Sequence, residues 1–177
     1  MTETEFGKLV VAIKTYYPRE KLFPNRQSVE LWYRELSDLD YLTAETAIRK
    51  HVSTSVYPPT IAEIREAALD VMQGGAADDW STGWAKVQKA IRQYGSYRQE
   101  EALNSLDEVT RACVESLGWM NICLSENPTA DRANFRNIYG TIAERKRATA
   151  RLPESVRAVI EMTAKKLVEK TEVGYEQ

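Results

Sequence analysis

Apolar residues recur every three or four positions through most of the chain, and nowhere do β-branched and polar residues alternate in the period of a strand. The pattern predicts an all-α protein. From Glu3 to Tyr17, one face carries Phe6, Leu9, Val10, Ile13 and Tyr17, with Thr2 and Glu5 as a capping box and Pro18 at the stop. A second helix, from about Asn25 to Asp38, has Asn25 as N-cap and Val29, Trp32, Tyr33 and Leu36 on one face. A third, roughly Thr43 to Thr54, presents Ala44, Ala47, Ile48 and Val52.

The next nine residues, Tyr57 to Arg65, fix a joint. Pro58 and Pro59 hold φ near −65° and remove two N–H donors, so the chain runs extended here. Thr60 and Glu63 then form a capping box, with Pro59 and Ile64 placed for a hydrophobic staple. A fourth helix follows, showing Ile61, Ile64, Ala68, Leu69 and Met72 until Gly74-Gly75. Residues 1–73 therefore read as a four-helix unit, and 74–79 as a linker with little to bury.

Residues 80–170 read as a second helical domain, and 171–177 as a frayed tail. Asp79 can cap a helix from Trp80 to Tyr94, which carries Trp84, Val87, Ala90 and Ile91 inward and stops at Gly95. A short helix around Gln99–Leu103 follows, then a capping box of Ser105 and Glu108 for a helix ending at Leu117-Gly118. After the short segment from Trp119 to Leu124, Asn127-Pro128 opens a long helix, about Thr129 to Ala150, with Phe135, Ile138, Tyr139 and Ile142 inward. Leu152-Pro153 breaks it. A last helix, from Pro153 to about Lys170, carries Val156, Val159, Ile160, Leu167 and Val168 on its apolar face.

Composition narrows the function classes mainly by exclusion. No apolar run approaches the length of a membrane span, and the acidic Met-Thr-Glu-Thr-Glu start is unlike a targeting peptide, so a cytoplasmic protein is expected. With 9 Lys/Arg against 11 Asp/Glu in residues 1–73 and 15 against 13 in 80–177, neither half is a basic nucleic-acid module. His51 is the single histidine, which excludes two-histidine zinc motifs and offers no flanking nucleophile. Gly74-Gly75 has no GxxxxGK[ST] around it, so no P-loop ATPase is encoded. Cys113 and Cys123 lie among apolar residues and read as reduced thiols. No catalytic constellation, metal site or cofactor is expected.

What remains is surface. Trp80, Trp84, Tyr94 and Tyr97 cluster after the linker, either as core of the second domain or as an exposed contact patch. Arg145-Lys146-Arg147, with Arg151 beyond, is the one distinctly basic run, and suits either a solvated helix end or a nucleic-acid contact. Tyr57, beside the paired prolines, is the member of the strap most free to do more than connect helices.

Several of these stretches carry a resemblance. Phe6 with Tyr16-Tyr17-Pro18, Trp32-Tyr33-Arg34-Glu35-Leu36, Asp38-Leu39-Asp40-Tyr41 and the Tyr57–Arg65 strap together resemble the N-terminal domain of phage replicative-helicase loader/inhibitor proteins, over about residues 3–72. The second half resembles the C-terminal part of longer phage and prophage members. It does so through Trp84 to Ile91 with Tyr94-Gly95, Glu101 to Leu106, and Leu124 to Asn127 followed by Arg132, Phe135 and Tyr139. The resemblance implies a small helical protein without enzymatic activity or cofactor. Such proteins bind the hexameric replicative DNA helicase, hold it inactive and deliver it to an origin marked by an initiator protein, with direct DNA binding weak or absent. In the family's short member the C-terminal part is flexible and needed for helicase contact, whereas residues 80–170 here read as folded. A helicase-facing surface is expected there, built from exposed members of the Trp/Tyr cluster with Arg145, Lys146 and Arg147, leaving the N-terminal unit for the initiator. The alternative is a helical DNA-binding regulator.

Overall fold

The computed structural model describes residues 1–73 and 79–173, with side chains through residue 166. These residues form α1 (Glu3–Tyr16), α2 (Arg26–Leu36), α3 (Tyr41–Val52), α4 (Ile61–Met72), α5 (Trp80–Tyr94), α6 (Gln99–Asn104), α7 (Glu108–Leu117), α8 (Trp119–Cys123), α9 (Pro128–Arg151) and α10 (Glu154–Val173). No strand occurs among the described residues, as the hydrophobic period predicts. Residues 74–78 of the expected linker lie outside the described residues, and Asp79 is the N-cap of α5. Of the expected tail, residues 171–173 continue α10 and the remainder lies outside the described residues.

The chain divides into two compact units: Met1–Gly75 with Thr149–Gln177, and Ala76–Ala148. The division differs from the expected break at the linker, because the end of α9 and all of α10 group with the N-terminal helices.

In the first unit the local chemistry sets each helix start. Thr2, Asn25 and Thr60 each accept from the N3 backbone N–H while the N3 side chain bonds back to the cap. Asp40 caps α3 by accepting from Thr43 N–H at 2.9 Å, so that helix begins two residues earlier than its periodicity suggests. Phe6, Leu9, Ile13, Leu36, Ala44, Ala47, Ile48, Ile64 and Ala68 form the core, with Trp32 and Tyr33 packed at its edge. The small residues Ala44, Ala47 and Ala68 let α3 and α4 pack closely. Met72, expected on the inner face of α4, is 65% exposed.

The second unit has its own core of Val87, Ala90, Ala102, Leu103, Val109, Cys113, Val114, Trp119, Ile122, Phe135 and Tyr139. Gly83 of α5 brings its helix against α9. A Cβ there would sit 2.9 Å from Tyr139 Cε2, 3.0 Å from Thr110 Oγ1 and 3.4 Å from Phe135 Cζ. The expected Ser105–Glu108 capping box does not form. Asp107 caps α7 instead, accepting from Thr110 N–H at 3.1 Å, and Ser105 ends α6 with its hydroxyl donating to Ala102 O at 2.7 Å. Trp119, at the start of α8, is buried and donates its indole N–H to Gly95 O at 3.2 Å.

Candidate partner-binding surfaces

The most heavily bonded side chain of the first unit is Arg65, at the end of the strap motif. Its guanidinium has five N–H donors, and each finds an acceptor. Nη1 donates to Asp38 Oδ1 and Glu35 O, both at 2.7 Å, and Nη2 to Asp38 Oδ2 and Leu152 O, both at 2.8 Å. Nε donates to Arg151 O. Arg65 is buried, and the Asp38 carboxylate that takes its bidentate pair is itself only 13% exposed. Asp38 Oδ2 also accepts from Glu154 N–H at 3.2 Å. Arg65 thus caps the carbonyl end of α9, and Asp38 caps the amide end of α10, the polarities that each helix terminus favours. Burial alone would raise the Asp38 carboxyl; the hydrogen bond and charge of Arg65, with Glu154 N–H, outweigh it and hold the group below the ordinary carboxylate value. Glu66 pairs with Arg151 beside this node.

The strap is a fixed turn with an exposed apolar tip. Pro59 is fully buried, whereas Val56 and Tyr57 stand out in solvent. The Tyr57 carbonyl is gripped by His51 Nε2 at 2.9 Å and by the Ser55 hydroxyl at 3.1 Å. Tyr17 donates its hydroxyl to Ser55 O at 3.2 Å, tying the same turn to the end of α1. The apolar face of α10 departs from expectation. Periodicity marks Val156, Val159 and Ile160 as a core-facing stripe, but the structure leaves them 38%, 62% and 49% exposed, with Met162 beside them. The side chains of Leu167 and Val168 lie outside the described residues.

In the second unit the expected aromatic cluster separates. Trp84 packs on Phe135 with ring centroids 5.3 Å apart, and Trp80 and Tyr94 lie half-buried at the edge of the same core. Trp80 and Tyr94 open and close α5, about 20 Å apart at 1.5 Å per residue, so they cannot share one contact. Tyr97 alone is fully exposed. Arg132 and Arg136 of α9 place their guanidiniums 5.1 and 5.4 Å from the Trp80 ring centroid. Lys146 bridges to Glu108 at 2.8 Å. Arg145 lines a shallow groove of about 370 Å³ with Ser116, Asn137, Ile138, Thr141 and Ile142. Asp107 receives Lys86 Nζ at 2.7 Å. Burial would raise its carboxyl, but Lys86 and Thr110 bonds hold it below the ordinary value. Among the described residues no group of three or more His, Cys, Asp or Glu could hold a metal ion, and no helix is long and apolar enough to cross a membrane.

With the strap, its caps and Arg65 in place, the comparison with known families is decisive for the first unit: the family model of the phage helicase loader/inhibitor N-terminal domain matches residues 1–65. These residues are a loader/inhibitor N-terminal domain. No curated protein and no solved structure matches the chain.

The match to the loader/inhibitor domain ends at Arg65, the residue that binds Arg151 O and Leu152 O. Of the eight residues singled out by sequence, Tyr57 alone lies inside the loader/inhibitor domain, and Trp80, Trp84, Tyr94, Tyr97, Arg145, Lys146 and Arg147 lie in the second unit. The structure does not gather those seven into one patch. Three features escaped the sequence reading: the Arg65–Asp38 node, the exposed face of α10, and the arginine pair over Trp80. The pair had a visible signal in its four-residue spacing on one helix.

Proposed function

We propose that this chain binds the hexameric replicative helicase, holds it inactive and delivers it to an origin through an initiator protein. The observation that carries the reading is the loader/inhibitor N-terminal domain at residues 1–65. The helicase-facing surface lies within residues 80–170, using exposed Tyr97, the Arg145-Lys146-Arg147 run and the flanking aromatics Trp80, Trp84 and Tyr94. The loader/inhibitor domain, with Tyr57 at its exposed tip, holds the initiator. The open apolar face of α10 supports this placement, because an amphipathic helix laid into a groove is a common recognition mode. The protein works without cofactor in the bacterial cytoplasm, and acts by mass action. Binding one helicase state shifts the population by no more than its differential affinity for the states.

Size-exclusion chromatography with light scattering tests the reading. The protein is mixed with a bacterial replicative helicase and ATP at two salt concentrations, beside duplex and single-stranded oligonucleotides. A co-eluting complex with the helicase is expected, lost or weakened when Arg145, Lys146 and Arg147 are reversed to Glu. Salt-sensitive oligonucleotide binding without a helicase complex would overturn the reading in favour of a helical DNA-binding regulator.

A further inference from the structure

One cluster in the second unit holds two charges that no ion pair balances. Arg132 and Arg136 are four residues apart on α9, so their side chains rise from one face with Cβ atoms about 5–6 Å apart. Both are exposed, and both guanidiniums lie over the indole of Trp80. Among the described residues neither guanidinium has a hydrogen bond or an ion pair; the ring is their contact. Asp79, at the same end of α5, is engaged with Ser81 through its N–H and its hydroxyl. Asp131 precedes Arg132 in the chain and makes no ion pair with either arginine.

An aromatic face that collects two cations resists their mutual repulsion and fixes their planes. Two guanidinium forks with unused N–H donors are thereby presented one helical turn apart. Such forks match carboxylates bidentately, and Trp with Arg is the composition that dominates protein-binding energetics. Nucleic acid fits less well. The guanidiniums occupy the indole that a base would stack on, and residues 79–148 carry 10 Lys/Arg against 9 Asp/Glu, which gives no basic field.

We propose that Trp80, Arg132 and Arg136 form a carboxylate-recognition site for an acidic helix of the replicative helicase. That helix presents Asp or Glu side chains at four-residue spacing, and the site rests on the helicase-binding reading above. It is separate from the Arg145–Arg147 run, so the two contributions are measured independently. Fluorescence anisotropy of the labelled full-length protein, titrated with hexameric helicase and ATP, tests the proposal for wild type, R132Q/R136Q, R132K/R136K and W80F. Circular dichroism confirms that each variant keeps its fold.

The Gln pair should bind at least about tenfold more weakly and with a flatter salt dependence, since charge-assisted pairs are lost. The Lys pair, which keeps charge but not the fork, should fall between, as should W80F, which weakens the platform. Helicase binding by R132Q/R136Q equal to that of wild type overturns the site while leaving the helicase reading intact. Failure of wild type itself to bind overturns both. Loss of binding to a dT oligonucleotide by the Gln pair, with helicase binding unchanged, also overturns it and assigns the arginines to phosphate.

Discussion

Replacing Arg65 by Met keeps the aliphatic stem and removes all five donors. Asp38 is then left ionised and 13% exposed with no partner but Glu154 N–H, and the carbonyls of Glu35, Arg151 and Leu152 lose theirs. Removing one partner of a buried pair costs about 3–5 kcal/mol, a large share of the roughly 5–15 kcal/mol that holds a domain together. Arg65→Lys retains the charge but has three donors for five acceptors. Two acceptors go without, for a loss of about 2 kcal/mol at roughly 1 kcal/mol per hydrogen bond. The order Met worse than Lys worse than wild type is therefore expected in urea unfolding. Hydrogen exchange read by peptide should localise the loss to the first unit and to the start of α10.

The same pair has a pH signature. The folded-state value of Asp38 is depressed, so its contribution is full above the unfolded value, about pH 4. It is lost as pH falls through the lower folded value. Arg65→Met should flatten that acid limb. A Met variant less than about 1 kcal/mol below wild type, or exchange at α10 unchanged from wild type, would refute the view that this arginine holds the α9–α10 elbow.

Other perturbations have equally definite outcomes. Gly83→Ala gains helix propensity but drives a methyl into Tyr139 and Thr110, for a net loss of about 1–2 kcal/mol in the thermal unfolding of the second unit. Cys113 is buried, with its thiol pushed up to about 11 by burial and by Asp107, so it should resist a thiol-reactive dye at pH 8 until urea unfolds the chain. Thr60→Ala removes the acceptor for Glu63 N–H and should cost about 1 kcal/mol, seen as a lower urea midpoint. Ending the chain after Ala148 removes the Arg151 and Leu152 carbonyls from Arg65. The first unit should weaken by about 1–3 kcal/mol, measurable as a lower urea midpoint.

The helices and their joints were largely legible, because caps and periodicity are local. Thr2, Asn25, Thr60, Asp79 and Asn127 each start the helix that their side chains suggest, and Gly95 and Gly118 end α5 and α7 with positive φ. Ser105 misled because Asp107, two residues later, is the better-placed acceptor for Thr110 N–H, which leaves the serine to close α6. The stripe of α10 was legible as a stripe, but periodicity shows that a face is apolar and not what covers it. Long-range polar nodes lay beyond reach for a similar reason. Nothing local to Arg65 marks a carboxylate 27 residues before it or carbonyls 86 and 87 residues after it. Within the candidate surface, exposure of Tyr97 and the half-burial of Trp80 and Tyr94 depend on helix packing that single residues do not reveal.

The acceptors of Arg65 also set a timetable. A ribosome adds about 5–20 residues per second, so Leu152 is made roughly 4–17 s after Arg65. During that interval the emerging loader/inhibitor domain carries a guanidinium still solvated on one side and a helix end without its mate. The entire second unit is synthesised between the two pieces of the first. The domain can therefore collapse early through its apolar interior, yet it finishes only when the far segment returns. A chain halted in the second unit would leave that arginine open to water.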